Sequence, residues 1–361
     1  MRFCLALVTL CASMVGCEST DTITYDPIDD GASSDTDPAD DTERDDSDDE
    51  TNDDDSSEGA DASDDDGPEG DEDDTSEPAP NPGALGEWTV SMLSSTEVDA
   101  EIYLPNGDGP FPLVLFSPGF QLSSVEYRSY AEHLASWGYI TALVSFEDSL
   151  FGGPTHNEMQ LTLADMMDWF TSDPDVLEGT ADNDSLVLMG HSMGGKLSLL
   201  RASYDTRVNA VVGVDPVDAA PPFGGSATDY PSVAPERMGL ISAPILLFGE
   251  RTNARGSFPC APEGENFQAY YESATGPVME VDFLTAFHMS FVDNPSCLFC
   301  LACPAGTDDP VVTKAHVRAI TTAFLESEIH GEPWATEWLR GDGLEALESG
   351  GTFVSQSKNG F

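Results

Sequence analysis

Apolar and amphipathic stretches alternate along the chain from residue 97 onward. Continuous apolar runs predict buried strands over 111–116, 139–146, 186–189, 208–214, 245–248 and 278–284. A further strand is expected over 98–104, closed by the turn residues Asn106-Gly107-Asp108-Gly109-Pro110. Helical spacing predicts helices over 127–137, 158–170, 193–203 and 311–325. In the second of these, Leu161, Ala164, Met167 and Trp169 are expected to face the core. Strands that alternate with helices in this way build a mostly parallel central sheet with helices on both faces, an α/β class. No internal repeat is visible, and the segment from residue 331 predicts no definite element.

Before residue 81 the pattern disappears. Residues 18–80 hold 29 Asp and Glu against the single Arg44, with Ile23, Tyr25 and Ile28 as the few large apolar residues. Such a stretch cannot bury enough apolar surface to offset the entropy of ordering, so 18–83 is expected to be a disordered acidic linker. Calcium binding by its Asp clusters lacks the Gly-punctuated spacing of a loop site. The first residues differ again: Met1-Arg2 is positive and 3–15 is apolar, too short to span a bilayer as a mature helix. A secretory signal over 1–17 is expected. Its end, Ser13-Met14-Val15-Gly16-Cys17, resembles a bacterial lipobox, in which Cys17 carries the lipid; an ordinary cleaved signal is the alternative. The expected protein is exported, anchored to a membrane through Cys17 if so processed and otherwise secreted. From residue 81 onward 38 acids face 11 bases, which excludes nucleic acid as a partner, since phosphate binding needs clustered Lys and Arg.

The chemistry centres on Gly190-His191-Ser192-Met193-Gly194. A predicted strand precedes it and a predicted helix follows, the setting of a nucleophile elbow, in which flanking glycines let strand and helix approach closely. Residues 84–361 are therefore expected to form a catalytic domain with the α/β-hydrolase fold. The backbone N–H of Met193 is one expected donor to an oxyanion. The other is Phe120, in Ser117-Pro118-Gly119-Phe120-Gln121 after an early buried strand, with its side chain as an apolar wall. Of six histidines, His288 follows the strand over 278–284 and comes after Ser192, as the Ser…Asp…His order requires. His191 is expected to point away from the nucleophile's partner, His133 and His316 to lie on helices, and His156 to sit in a loop that can line the cleft. For the orienting acid, Asp215 ends a strand and is preferred, with Glu250 as runner-up and Asp218 a further option.

These residues resemble a known group. The elbow with Gly195-Lys196, then Gly213-Val214-Asp215-Pro216-Val217, then Pro259-Cys260-Ala261-Pro262-Glu263-Gly264-Glu265-Asn266, are similar to the chlorophyllase family of α/β-hydrolases. The similarity runs from about residue 111 to 325. Ser117-Pro118-Gly119-Phe120 and the elbow also resemble the cutinase-like polyester hydrolases, and the early acid resembles that of the platelet-activating-factor acetylhydrolases. The resemblance implies an esterase without metal or organic cofactor, with Ser192, Asp215 and His288 at the triad positions. Met193 stands where the chlorophyllase pattern has Arg, and Pro118-Gly119 where it has His-Gly; these departures bear on chlorophyll as substrate, not on ester hydrolysis. A lipase or polyester hydrolase is an alternative, and a surface lipoprotein that only binds is a rival of another class.

Four cysteines fall in the predicted domain: Cys260, Cys297, Cys300 and Cys303. Their spacing suits zinc or an iron–sulfur cluster. In an exported protein an even number points instead to two disulfides, which would steady the loop after His288.

Overall fold

The computed structural model describes residues 79–361 apart from 150–151, 173, 178, 221–223, 257–258 and 298–299. The predicted signal, Cys17 and the acidic run up to residue 78 lie outside the described residues. The strands are β1 (Val90–Ser95), β2 (Ala100–Pro105), β3 (Phe111–Ser117), β4 (Ile140–Val144), β5 (Ala181–His191), β6 (Val208–Val214), β7 (Ile245–Glu250), β8 (Val278–Phe283) and β9 (Phe353–Lys358). They form one nine-stranded sheet in the order β1-β2-β4-β3-β5-β6-β7-β8-β9. Strands β4, β3, β5, β6, β7 and β8 run parallel, while β1, β2 and β9 are antiparallel to their neighbours. This is the α/β-hydrolase fold expected from the sequence.

The parallel strands are buried on both faces, which is why they read as unbroken apolar runs. Along β3, Val114 and Phe116 pack on one side and Leu113 and Leu115 on the other. The first face is covered by α1 (Arg128–Ser136) and α5 (Pro310–Leu325) through Leu134, Val317, Ile320 and Phe324. The second is covered by α2 (His156–Phe170), α3 (Met193–Ala202) and α4 (Phe267–Ser273) through Leu163, Met167, Leu199 and Tyr270. Helix α2 meets the expectation in part: Met167 is buried and Trp169 packs against the core. Met159, Leu163, Met166, Met167 and Phe170 are buried, whereas Leu161 is half exposed.

The chain from residue 331 does form elements: α6 (Glu337–Arg340), α7 (Asp342–Glu348) and the edge strand β9. Leu339, Leu344 and Phe353 anchor them in the core. Among the described residues no helix is long and apolar enough to cross a membrane.

Candidate active site

The site lies where β5, β6, β7 and β8 end. Ser192 links β5 to α3 with φ 54° and ψ −119°, a conformation sparsely populated by residues with a side chain. Backbone bonds hold it: Ser192 N–H donates to Val214 O at 3.0 Å, and Val217 N–H donates to Ser192 O at 3.2 Å. Packing explains the flanking glycines. A Cβ on Gly190 would lie 2.4 Å from the Gly194 carbonyl carbon, and one on Gly194 would lie 2.0 Å from Ser117 O. Strand, helix and the loop after β3 therefore meet backbone to backbone at the elbow.

The structure brings Ser192, His288 and Asp215 into one hydrogen-bonded line. His288 Nε2 is 2.8 Å from Ser192 Oγ, and His288 Nδ1 is 2.6 Å from Asp215 Oδ2. With Nδ1–H donating to the carboxylate, Nε2 is free to accept the serine hydroxyl. Burial lowers the His288 imidazole to about 3, so the ring is neutral. Asp215 is fully buried at φ 44°, a left-handed conformation that Asp tolerates better than most residues. Its own N–H donates to Phe248 O at 2.8 Å. Burial pushes its carboxyl upward.

Of the two other acids, Asp218 is engaged elsewhere and Glu250 lies behind Asp215. Asp218 accepts from Val233 N–H and Ala234 N–H and from the Ser232 hydroxyl, and it pairs with the buried Lys196 at 3.2 Å. It organises a loop and does not contact His288. Glu250 ends β7 next to Asp215, and its N–H donates to Asp215 Oδ1 at 3.3 Å. Burial, aided by the Asp215 charge, raises its carboxyl to about 9.

Phe120 packs with Met193, Met159 and Leu197 in a small apolar cluster beside the elbow. The two residues expected as oxyanion donors thus sit on adjoining segments. Four of the other histidines make contacts outside this line. His191 Nε2 lies 2.9 Å from His288 O and its Nδ1 2.8 Å from Tyr127 Oη, which also accepts Gly119 N–H at 3.0 Å. His191 therefore does not point away from the nucleophile's partner as expected: its ring lies 4.7 Å from that of His288, and it ties the loop after β3 to the His288 loop. His133 is buried between Pro82 O and Thr322 Oγ1, and His316 packs against Phe283 and Phe353. His156 opens α2 and packs edge-on against Tyr230, so it belongs to a helix, not to a cleft-lining loop.

Sequence reasoning passed over Asn253. Its Oδ1 accepts His288 N–H at 2.9 Å, and its amide donates to Pro304 O at 2.9 Å. No local motif marks it. The four cysteines form two disulfides: Cys260–Cys303 ties the segment between β7 and α4 to the region after His288, and Cys297–Cys300 closes within that region. Cys17 lies outside the described residues.

The sequence model of chlorophyllases matches residues 89–340. A chloroplastic chlorophyllase-1 of Citrus sinensis is 29% identical over 243 residues, covering 64% of this chain and 72% of its own. Chlorophyllase-2 of Arabidopsis thaliana is 26% identical over 249 residues, 63% of this chain and 76% of its own. Cutinase 2 of Thermobifida cellulosilytica is 28% identical over 116 residues, 32% of this chain and 43% of its own.

Proposed function

The chain belongs to the chlorophyllase family of carboxylic-ester hydrolases, and from that premise we propose that it is a serine esterase with Ser192 as nucleophile, His288 as base and Asp215 as orienting acid. The observation that carries this reading is the line Ser192 Oγ–His288 Nε2 at 2.8 Å and His288 Nδ1–Asp215 Oδ2 at 2.6 Å. A nucleophile, a base within hydrogen-bond reach and a group that fixes the base's tautomer are what acyl transfer requires.

In the first half-reaction Ser192 Oγ attacks the ester carbonyl while His288 Nε2 takes the hydroxyl proton. Asp215 accepts the hydrogen bond from Nδ1–H throughout and stabilises the imidazolium. The tetrahedral oxyanion accepts the N–H groups of Phe120 and Met193, and collapse expels the alcohol with the proton from Nε2. Water, deprotonated by His288, then cleaves the acyl-enzyme, releasing the acid and restoring Ser192.

Similarity to a cutinase, together with the apolar Phe120–Met193–Met159 wall, favours apolar acyl groups and extends the reading to lipids or polyesters. On the leader reading, the enzyme works outside the cytoplasm, held by a lipid on Cys17 with the acidic stretch as spacer.

Hydrolysis of p-nitrophenyl esters of graded chain length by wild type and Ser192→Ala tests the proposal. The expected result is turnover by wild type and a loss of at least ~10³-fold in Ser192→Ala. Equal rates in both, or no turnover of any ester, would overturn it, the latter in favour of a binding lipoprotein.

A further inference from the structure

Glu250 is fully buried, with Oε2 accepting Asn253 N–H at 2.8 Å and Oε1 left without a hydrogen-bond partner. Polar side-chain atoms of Glu250, Asp215 and His288 lie within 4.8 Å of one another. Two carboxyl groups therefore share a space closed to water. Among the described residues neither pairs with a Lys or Arg. The charged groups around them are few. Asp282 of β8 acts on both acids and is itself held by Arg251, whose guanidinium is half exposed. His288, from the loop after β8, faces Asp215 as a neutral ring. Two adjacent buried anions without a cation repel strongly at low dielectric, so one of the acids keeps a proton.

Hydrogen bonding decides which one. Asp215 receives Nδ1–H on Oδ2 and Glu250 N–H on Oδ1, so both of its oxygens are stabilised as anion. Glu250 has an oxygen with no donor. We propose that Glu250 is a positioning residue that stays protonated at neutral pH, so that the pair carries one negative charge, on Asp215 opposite His288. The proposal rests on the reading of Ser192, His288 and Asp215 given above.

Two consequences follow for pH. The Glu250 carboxyl is raised from an ordinary value near 4.5 to about 9. The folded state thus holds a proton that the unfolded state has released across that window. Stability from this group is full at its lower end and falls as pH rises through about 9. Above it, repulsion loosens Asp215 from Nδ1, and kcat/KM falls.

The test is kcat/KM on a p-nitrophenyl ester from about pH 5 to about pH 10, with thermal melts, for wild type, Glu250→Gln, Glu250→Ala and Asp215→Asn. Wild type is expected to show an alkaline limb near pH 9 that Glu250→Gln lacks. The Tm of Glu250→Gln should exceed that of wild type by a margin that widens with pH. Glu250→Ala is expected to lose roughly tenfold at neutral pH, and Glu250→Gln to recover most of it, because the amide fills the same space, keeps an oxygen to accept Asn253 N–H and, like the protonated acid, carries no charge. A Glu250→Gln loss as deep as that of Asp215→Asn, or an unchanged alkaline limb, would overturn the proposal. Full activity in Asp215→Asn would instead overturn the parent reading, leaving the melts to judge the Glu250 proton.

Discussion

Ser192 holds a backbone conformation that residues with a side chain seldom adopt, and its neighbours show what maintains it. Gly190 and Gly194 remove the Cβ atoms that would collide, and β6 supplies the carbonyl that receives Ser192 N–H. The serine, histidine and acid singled out along the chain are the three whose polar atoms form one line. They were legible because each follows a strand and the chain order restricts the choice. Tyr127 and Asn253 were not legible, since their partners lie far away in sequence: Tyr127 meets His191 64 positions on, and Asn253 meets His288 35 positions on. Tyr127 Oη serves His191 Nδ1 and Gly119 N–H at once inside the core. Tyr127→Phe leaves both groups unpaired and should lower unfolding free energy by about 1–3 kcal/mol in urea titration, with kcat falling more than KM rises. An unchanged midpoint would show that the strut is dispensable.

At the scale of elements, the parallel strands were plain because burial on both faces makes them continuous apolar runs. Edge strands lack that signature. β1 is Val90-Ser91-Met92-Leu93-Ser94-Ser95, mostly exposed or half buried, and β9 is nearly as polar, so both had no signal above the loops beside them. The start of α2 did carry one. Thr155 caps Glu158 N–H while Glu158 caps Thr155 N–H, a Thr-x-x-Glu box that sets the first turn at His156. The two disulfides close very different loops, 43 positions for Cys260–Cys303 and 3 for Cys297–Cys300. On the chain-entropy estimate the first contributes about 4 kcal/mol and the second about 2 kcal/mol. Paired Cys→Ser replacements should therefore lower Tm more at Cys260/Cys303 than at Cys297/Cys300. The reverse order would mean that the short bridge organises the His288 loop by itself.

For the whole molecule, the formal net charge of −54 is divided between an N-terminal stretch almost without bases and the domain that carries the site. A polyanion of this kind is repelled by anionic lipid, so the membrane attachment proposed above would have to come from covalent lipid. Cys17→Ser is accordingly expected to move the protein from the membrane fraction to the soluble exported fraction without changing kcat/KM on a short soluble ester. Retention on the membrane would contradict the lipobox reading. The central claim, that ester cleavage runs through Ser192, is tested most directly by covalent trapping of the full-length protein with a p-nitrophenyl phosphonate. The account predicts one adduct per chain by intact mass, located on the peptide containing Ser192, lost in Ser192→Ala and formed in step with the loss of esterase activity. An adduct elsewhere, or full hydrolysis by the stoichiometrically labelled protein, would contradict it.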